Sequence, residues 1–451
     1  MNDTICAIST ALGIGAISIV RASGKDAIKI VNSIFKGKNL LNVKTHTIHY
    51  GFIKDDDEIV DEVLVSVMRS PKTFTCEDVV EINCHGGIAT TNKVLELLLN
   101  KGCRLAEPGE FTKRAFLNGR IDLMEAEAVM DLINGKTEEA RKIAISGLKG
   151  NGSKLISELR KELISLISNI EVNIDYPEYN DIYEVTVNDI KEKIDYFNDK
   201  LNRIVYEYEN SKILKDGINT VIIGRPNVGK SSILNKLLDD NKAIVTDIPG
   251  TTRDIVEGSI SFDGILLNII DTAGIRKTND LVEKIGVEKS LEKIDTADLV
   301  IIVLNNNEEL SDEDLEIIDR TKDKPNLIVI NKNDLDKRIN VDKLKGRKII
   351  YTNTIELEGI ESLKKQISTM FKLDEIKKKD YNFITNTRQI SKIKECINRI
   401  KDIKDALKKE MSLDLIEIDL KEIWNTLGEI IGENYSEELL DELFSKFCVG
   451  K

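Results

Sequence analysis

The segment Gly224-Arg225-Pro226-Asn227-Val228-Gly229-Lys230-Ser231 narrows the fold of this chain more than any other. A glycine, a short variable stretch and then Gly-Lys-Ser is the spacing of a phosphate-binding loop between a strand and a helix. The flanks agree. Thr220-Val221-Ile222-Ile223 predicts a buried strand, and Ser232-Ile233-Leu234-Asn235-Lys236-Leu237-Leu238 predicts a helix. Between them the glycines let backbone N–H groups turn inward on phosphates, at the positive end of a helix. Lys230 is expected to reach the β- and γ-phosphates. The Ser231 hydroxyl is expected to ligate Mg²⁺, a hard cation that takes oxygen ligands.

Two further motifs follow in order. Asp271-Thr272-Ala273-Gly274 closes the strand-like run Leu266-Leu267-Asn268-Ile269-Ile270, and Asn331-Lys332-Asn333-Asp334 comes after it. Asp271 is expected to hold Mg²⁺ through water, and Gly274 to offer its N–H to the γ-phosphate. Asp334 can accept two N–H donors from guanine, and adenine lacks that pair. A wrong base leaves buried polar groups unpaired, so the expected nucleotide is GTP, not ATP. Where a Ser-Ala pair normally lies beneath the base, this chain has Tyr351-Thr352-Asn353-Thr354. The expected nucleotide contacts are Asn227, Val228, Gly229, Lys230, Ser231, Ser232, Asp271, Thr272, Ala273, Gly274, Asn331, Lys332, Asp334, Thr352 and Asn353.

Ile275 follows the Asp-x-x-Gly motif, where many GTPases carry a water-orienting glutamine. An aliphatic side chain cannot orient water, so fast hydrolysis needs another group. An activating arginine supplies about 10³ to 10⁵ in rate, and Arg253 and Arg276 are competing sources, with exposed surface arginines as the alternative.

With 451 residues, of which 41% are hydrophobic, two or three domains with real cores are expected. No apolar run reaches the ~18 residues of a membrane helix, and no secretory leader pattern opens the chain. The six cysteines, Cys6, Cys76, Cys84, Cys103, Cys396 and Cys448, have no paired metal spacing and read as reduced thiols of a cytoplasmic protein. The net charge of −13 argues against a general nucleic-acid coat.

Residues 1–119 are strand-rich, with β-like runs at Gly15–Val20, Val63–Val67 and Val79–Asn83 and a helical segment at Asn92–Asn100. From 120 to 213 the pattern is helical, with Leu155, Leu159, Leu163, Leu166, Ile170 and Ile174 on one stripe. Residues 214–375 hold the nucleotide motifs. From 376 to 451 the stripe resumes at Ile390, Ile393, Ile397, Ile400 and Leu407. The expected fold is therefore multidomain: an α/β N-terminal domain and an all-α helical domain with a Ras-like α/β G domain inserted in it. Two separate helical domains are the alternative.

Asn227 and the stretch Ala243–Asp254 resemble the potassium-activated GTPases. In that group the phosphate-loop asparagine and the following loop hold K⁺ where an arginine finger would stand. The resemblance implies K⁺ ligands Asn227, Thr246, Ile248 and Thr251, with Thr252 joining Ser231 on Mg²⁺, and adds Thr246, Asp247, Ile248, Pro249, Gly250, Thr251 and Thr252 to the nucleotide contacts.

The flanks are more specific. Asp3-Thr4-Ile5, Arg21-Ala22-Ser23-Gly24, Phe74-Thr75-Cys76-Glu77-Asp78, His85-Gly86-Gly87, Pro108-Gly109-Glu110-Phe111-Thr112 and Phe447-Cys448-Val449-Gly450-Lys451 resemble the tRNA-modification GTPase MnmE (TrmE) family along the chain. The resemblance implies a homodimer formed through the N-terminal domain, and a flavoprotein partner, MnmG, carrying FAD. It implies an aminomethyl or carboxymethylaminomethyl group installed at C5 of the tRNA wobble uridine, with a 5-formyl- or 5,10-methylene-tetrahydrofolate as the folate. It assigns water activation to Glu283 and a folate pocket to Arg21, Glu81, Arg120 and Lys451. A carboxylate such as Glu81 can accept the N–H pair of a pterin. Cys448, near that pocket in the family, is either a nucleophile toward uracil C6 or a packing residue. The alternative function is a GTP-dependent ribosome or RNA assembly switch without base chemistry, which needs neither the folate residues nor the tail.

Overall fold

A computed structural model of the chain describes residues 3–175, 187–239, 256–270, 294–353, 358–377 and 384–450. They form two compact units: Met1–Met130 with Gly147–Phe197 and Ser391–Lys451, and Asp131–Ser146 with Asn198–Ile390.

The chain opens with strands β1 (Ile5–Ile8), β2 (Ile17–Ser23), β3 (Phe35–Gly37), β4 (Thr47–Asp55), β5 (Glu58–Met68), β6 (Val79–His85) and β7 (Arg104–Leu105). Helices α1 (Ala27–Ile34), α2 (Ile88–Asn100) and α3 (Glu110–Leu117) lie among them, and α4 (Leu123–Asn134), α5 (Glu138–Leu148), α6 (Asn151–Asp175) and α7 (Val187–Asp216) follow. The nucleotide segment contributes β8 (Ile218–Ile223), α8 (Lys230–Asp239), β9 (Val256–Phe262), β10 (Ile265–Ile270), β11 (Leu299–Asn305), α9 (Asp312–Arg320), β12 (Asn326–Asn331), β13 (Ile349–Tyr351), α10 (Glu358–Met370) and α11 (Leu373–Lys377). Helices α12 (Thr387–Lys408), α13 (Leu413–Ile431) and α14 (Glu437–Ser445) complete the chain.

In the first unit the strand order is β3-β4-β5-β6-β2-β1-β7. All pairs are antiparallel except β1 with β7. Strict alternation along β5 explains the two faces. Val63, Val65 and Val67 are buried with the apolar sides of α1 and α2, while Leu64 stays exposed. Registers extend that exposed face into one row of Ile48, Ser66, Glu81 and Arg21, and a second of Tyr50, Leu64, Asn83 and Ile19. Ile48 and Tyr50 are 66% and 59% exposed, so the β4–β5 end of this sheet face carries apolar side chains without a covering layer among the described residues.

The helical part of this unit rests on the stripes the spacing predicts. Leu159, Leu163, Leu166 and Ile170 of α6 are buried, as are Ile393, Ile397, Ile400 and Leu407 of α12. Ile174, at the end of its stripe, is exposed. Helix α6 runs antiparallel to α13. The Arg160 guanidinium lies 4.0 Å from the Trp424 ring centroid, and Lys421 pairs with Glu171 at 2.6 Å.

The second unit holds a six-stranded sheet ordered β13-β12-β11-β8-β10-β9, parallel except for the β9–β10 hairpin. Every residue of β11 is buried, as a central strand covered on both faces requires. The chain leaves β8 through α8 to the β10 side and later crosses to β11 on the other. The turn after β8 therefore lies at the topological switch point, where ligands of such sheets bind. The two ends of the insertion meet: Lys215, at the end of α7, pairs with Asp131 at 2.7 Å and donates to the Thr385 carbonyl at 3.1 Å.

Candidate functional site

The turn from β8 into α8 wraps around a side chain from the neighbouring strand. Asn331, at the end of β12, donates from Nδ2 to the Val228 carbonyl at 2.9 Å. Gly229 has φ 101°, and a Cβ there would stand 2.0 Å from Asn331 Nδ2. Only glycine admits this approach. Asn227 has φ 61°, the left-handed region that asparagine tolerates better than most residues. Lys230 opens α8, and its Nζ donates to the carbonyls of Gly224 and Arg225, each at 2.8 Å. The ammonium thus lies across the loop, where phosphate oxygens would meet it together with the helix N-terminus.

The base-side loop is built on the same asparagine. Thr352, buried just after β13, donates from Oγ1 to Asn331 Oδ1 at 3.2 Å, and its carbonyl accepts from Asn333 N at 3.1 Å. Threonine thus supports the Asn-Lys-x-Asp turn where other G domains carry a Ser-Ala pair. Lys332 is left-handed at φ 59°, and Asp334 is exposed at the tip. Val228 is buried, Ser231 and Asn353 half-buried, and Ser232 exposed. The phosphate loop and the guanine loop therefore meet through Asn331, and the residues present fit GTP. Thr246, Asp247, Ile248, Pro249, Gly250, Thr251, Thr252, Arg253, Asp271, Thr272, Ala273, Gly274, Ile275, Arg276 and Glu283 lie outside the described residues.

A second cluster occupies the open sheet face of the first unit. Arg21 on β2 pairs with Glu81 on β6 at 2.8 Å. Its guanidinium sits 5.5 Å from the Phe111 ring centroid, and that of Arg120 sits 4.9 Å from the Phe74 centroid. Phe74 and Phe111 pack in one small core with Ile5, Ala7 and Ala106, so both arginines border the same apolar patch. The C-terminal tail docks beside it. The Gly450 carbonyl accepts from Arg21 Nη1 at 3.3 Å and from Ser9 Oγ at 3.2 Å, and the Cys448 carbonyl accepts from Gly109 N at 3.2 Å. Gly450 has φ 90°, and a Cβ there would stand 2.4 Å from the Ile8 carbonyl. The Cys448 side chain is exposed, and Lys451 lies outside the described residues.

Sequence reading passes over Arg114, which supports this cluster from below. Its side chain is 1% exposed and bonds Asp3 at 2.8 Å, Glu77 at 3.0 Å and Glu110 at 2.9 Å. Glu77 in turn accepts from Ser23 Oγ on β2 at 2.8 Å. Burial works against the charge of Asp3 and of Glu110, and the arginines outweigh it, holding Asp3 at about 2 and Glu110 below the usual carboxylate range. Only the Glu110–Arg114 spacing of one helical turn marks this cluster in the sequence.

A phosphate loop at a strand switch, closed by an Asn-Lys-x-Asp turn and inserted in a helical domain behind an α/β N-terminal domain, puts the chain among multidomain, Ras-like GTP hydrolases. Residues 4–120 match the family model "GTP-binding protein TrmE N-terminus", and residues 123–448 match the MnmE helical domain. The tRNA modification GTPase MnmE of Bacillus cytotoxicus is 50% identical over 455 residues, covering 100% of this chain and 99% of that one. That of Staphylococcus aureus (strain MSSA476) is 49% identical over 456 residues with the same coverage. The FeoB G-domain from Methanococcus jannaschii is 29% identical, covering 34% of this chain and 98% of that one at a TM-score of 0.25. The chain belongs to the tRNA modification GTPase MnmE family, and it is a GTP hydrolase of tRNA modification.

Proposed function

We propose that this GTPase is potassium-stimulated and cytoplasmic, and that its nucleotide cycle drives modification of the tRNA wobble uridine. With MnmG as flavoprotein partner it installs an aminomethyl or carboxymethylaminomethyl group at C5. The observation that carries the reading is the docked tail. Arg21 holds Glu81 and the Gly450 carbonyl together, beside an aromatic patch bordered by Arg120. A flat ring with an N–H pair and an acidic tail fits that set, because the patch takes the ring, the carboxylate takes N–H donors and the guanidinium groups take the anion. A bound tetrahydrofolate would supply the one-carbon unit. A pure assembly switch has no use for such a pocket.

For hydrolysis, Asn227 and the residues Thr246, Ile248 and Thr251 are assigned to K⁺, Ser231 and Thr252 to Mg²⁺, and Glu283 to the attacking water. The left-handed Asn227 beside Lys230 supports the first assignment. The cation would supply positive charge at the phosphates where an arginine finger is missing. Cys448 is kept as the nucleophile candidate on account of its exposed thiol beside the tail contacts. The open apolar face that Ile48, Tyr50 and Leu64 share with Arg21 and Glu81 supports homodimerisation through the N-terminal sheet.

The test is mass spectrometry of tRNA nucleosides from cells lacking the gene, beside complemented cells. Loss of the C5-aminomethyl-type wobble nucleoside and its return on complementation supports the proposal. Unchanged nucleosides point to an assembly switch. Equal GTPase rates in KCl and NaCl would remove the potassium assignment alone.

A further inference from the structure

The phosphate loop is tethered from outside by a side chain that its motif leaves variable. Arg225 donates from Nε to Asp314 and from Nη2 to Glu308, each at 2.9 Å. The Asp314 side chain is 2% exposed and is fixed at the start of α9, where it accepts from Ser311 N and Oγ at 3.0 Å in a capping box. Burial opposes the charge of Arg225, and the two carboxylates outweigh it, holding the guanidinium more firmly protonated than an ordinary arginine. With both acids engaged, this side chain is neutralised by the protein itself.

Glu308 belongs to the loop after β11, and that loop also holds the guanine side. Asn305 Nδ2 donates to Glu308 Oε1 at 2.5 Å. Next to it, Asn306 N donates to the Asn331 carbonyl at 2.9 Å, and Asn306 Nδ2 donates to the Leu335 carbonyl at 3.0 Å. Arg338 N donates to the Asn306 carbonyl at 2.8 Å. One short segment, 305–308, is therefore bonded to the phosphate loop through Arg225 and to the Asn-Lys-x-Asp loop through Asn306.

We propose that Arg225 is a positioning residue for nucleotide binding, tying the phosphate loop to the 305–308 segment so that the phosphate and guanine subsites keep one separation. The proposal rests on reading Gly224–Ser231 as the phosphate cradle. Because its charge is spent on Asp314 and Glu308, Arg225 acts through geometry and not on the γ-phosphate. GDP and GTP then depend on it alike, and turnover at saturation does not.

The test uses full-length R225A, R225K, D314N and K230A, titrated with fluorescent GDP and a fluorescent non-hydrolysable GTP analogue, with kcat and KM measured for GTP. R225A is expected to weaken both nucleotides by about tenfold or more, the scale of a lost charge-assisted hydrogen bond, with kcat within about twofold. R225K, whose ammonium reaches one carboxylate, recovers part of the loss, and D314N reproduces it from the other side. Wild-type affinities in R225A overturn the proposal, as does a fall in kcat at unchanged affinity. If R225A does not fold, wild-type affinities in D314N overturn it. K230A separates the two levels. Normal nucleotide binding by K230A would remove the cradle reading itself. Loss of binding in K230A with retention in R225A and D314N would remove only the role of Arg225.

Discussion

At the scale of single residues, two side chains have effects whose sign the chemistry fixes. Asp334 offers two acceptor oxygens at the tip of the base loop, and the amide of Asp334→Asn offers one acceptor and one donor. Guanine then loses one partner, while xanthine, with a carbonyl where guanine has its amino group, gains one. Asp334→Asn is expected to weaken GTP by at least about 100-fold and to admit xanthosine triphosphate, read by competition titration with the two nucleotides. Arg114 is the second. Removing it in Arg114→Met leaves Glu77 without its arginine, and leaves Arg104 as the one guanidinium paired with Glu110 and Asp3 among the described residues. The expected loss is about 3–5 kcal/mol of stability in the N-terminal unit, measured by denaturant unfolding at neutral pH. Asp3 adds a pH signature. Its folded value of about 2 lies below the ordinary 3.8. Its contribution is therefore complete above the ordinary value and disappears as pH falls through about 2. Unfolding midpoints of the parent chain should drop across that window, and those of Arg114→Met should drop less.

At the scale of elements, what was legible in the sequence was local. The alternation in Val63–Val67 and the stripe from Leu159 to Ile170 state which face is buried, because periods of two and of three to four residues are set by the backbone itself. The spacing of Gly224 to Ser231 likewise names a turn with one use. Pairing across sequence was not legible. Nothing local to Arg225 names Asp314, nothing in Arg114 names Asp3, and the meeting of Gly450 with Ser9 and Arg21 joins the two ends of the chain. The use of Thr352 to hold Asn331 was hidden for the same reason, since the sequence shows only a missing Ser-Ala pair. The tail contact has a direct consequence. A side chain at Gly450 cannot keep φ 90° and would meet the Ile8 carbonyl at 2.4 Å, so Gly450→Ala should lift the tail from Arg21. Binding of 5-formyl-tetrahydrofolate is then expected to weaken by about tenfold, the scale of one lost charge-assisted contact. The GTP hydrolysis of the same preparation serves as the internal control.

At the scale of the molecule, the N-terminal sheet is half of a layered structure. An antiparallel sheet can leave a polar face to water, but this one presents Ile17, Ile48, Tyr50 and Leu64, and apolar patches of that kind mark contact surfaces. A second copy of the same face would cover it with matched chemistry, since a two-fold contact pairs each surface with itself. Because Arg21 and Glu81 share a row with Ile48, beside the row of Tyr50 and Leu64, closing the face would also wall in the proposed folate cluster. Dimerisation and folate binding then become one event. Leu64→Asp puts a charge at the centre of the patch, opposite Tyr50 and Asn83, on a side chain that is already exposed in the single chain, so the fold itself loses little. Light scattering after gel filtration is expected to report a dimer for the parent chain and a monomer for Leu64→Asp. The monomer should bind 5-formyl-tetrahydrofolate more weakly while binding fluorescent GDP as the parent does. A Leu64→Asp chain that stays dimeric would move the dimer contact off this sheet. One that becomes monomeric with full folate affinity would show that a single copy completes the pocket.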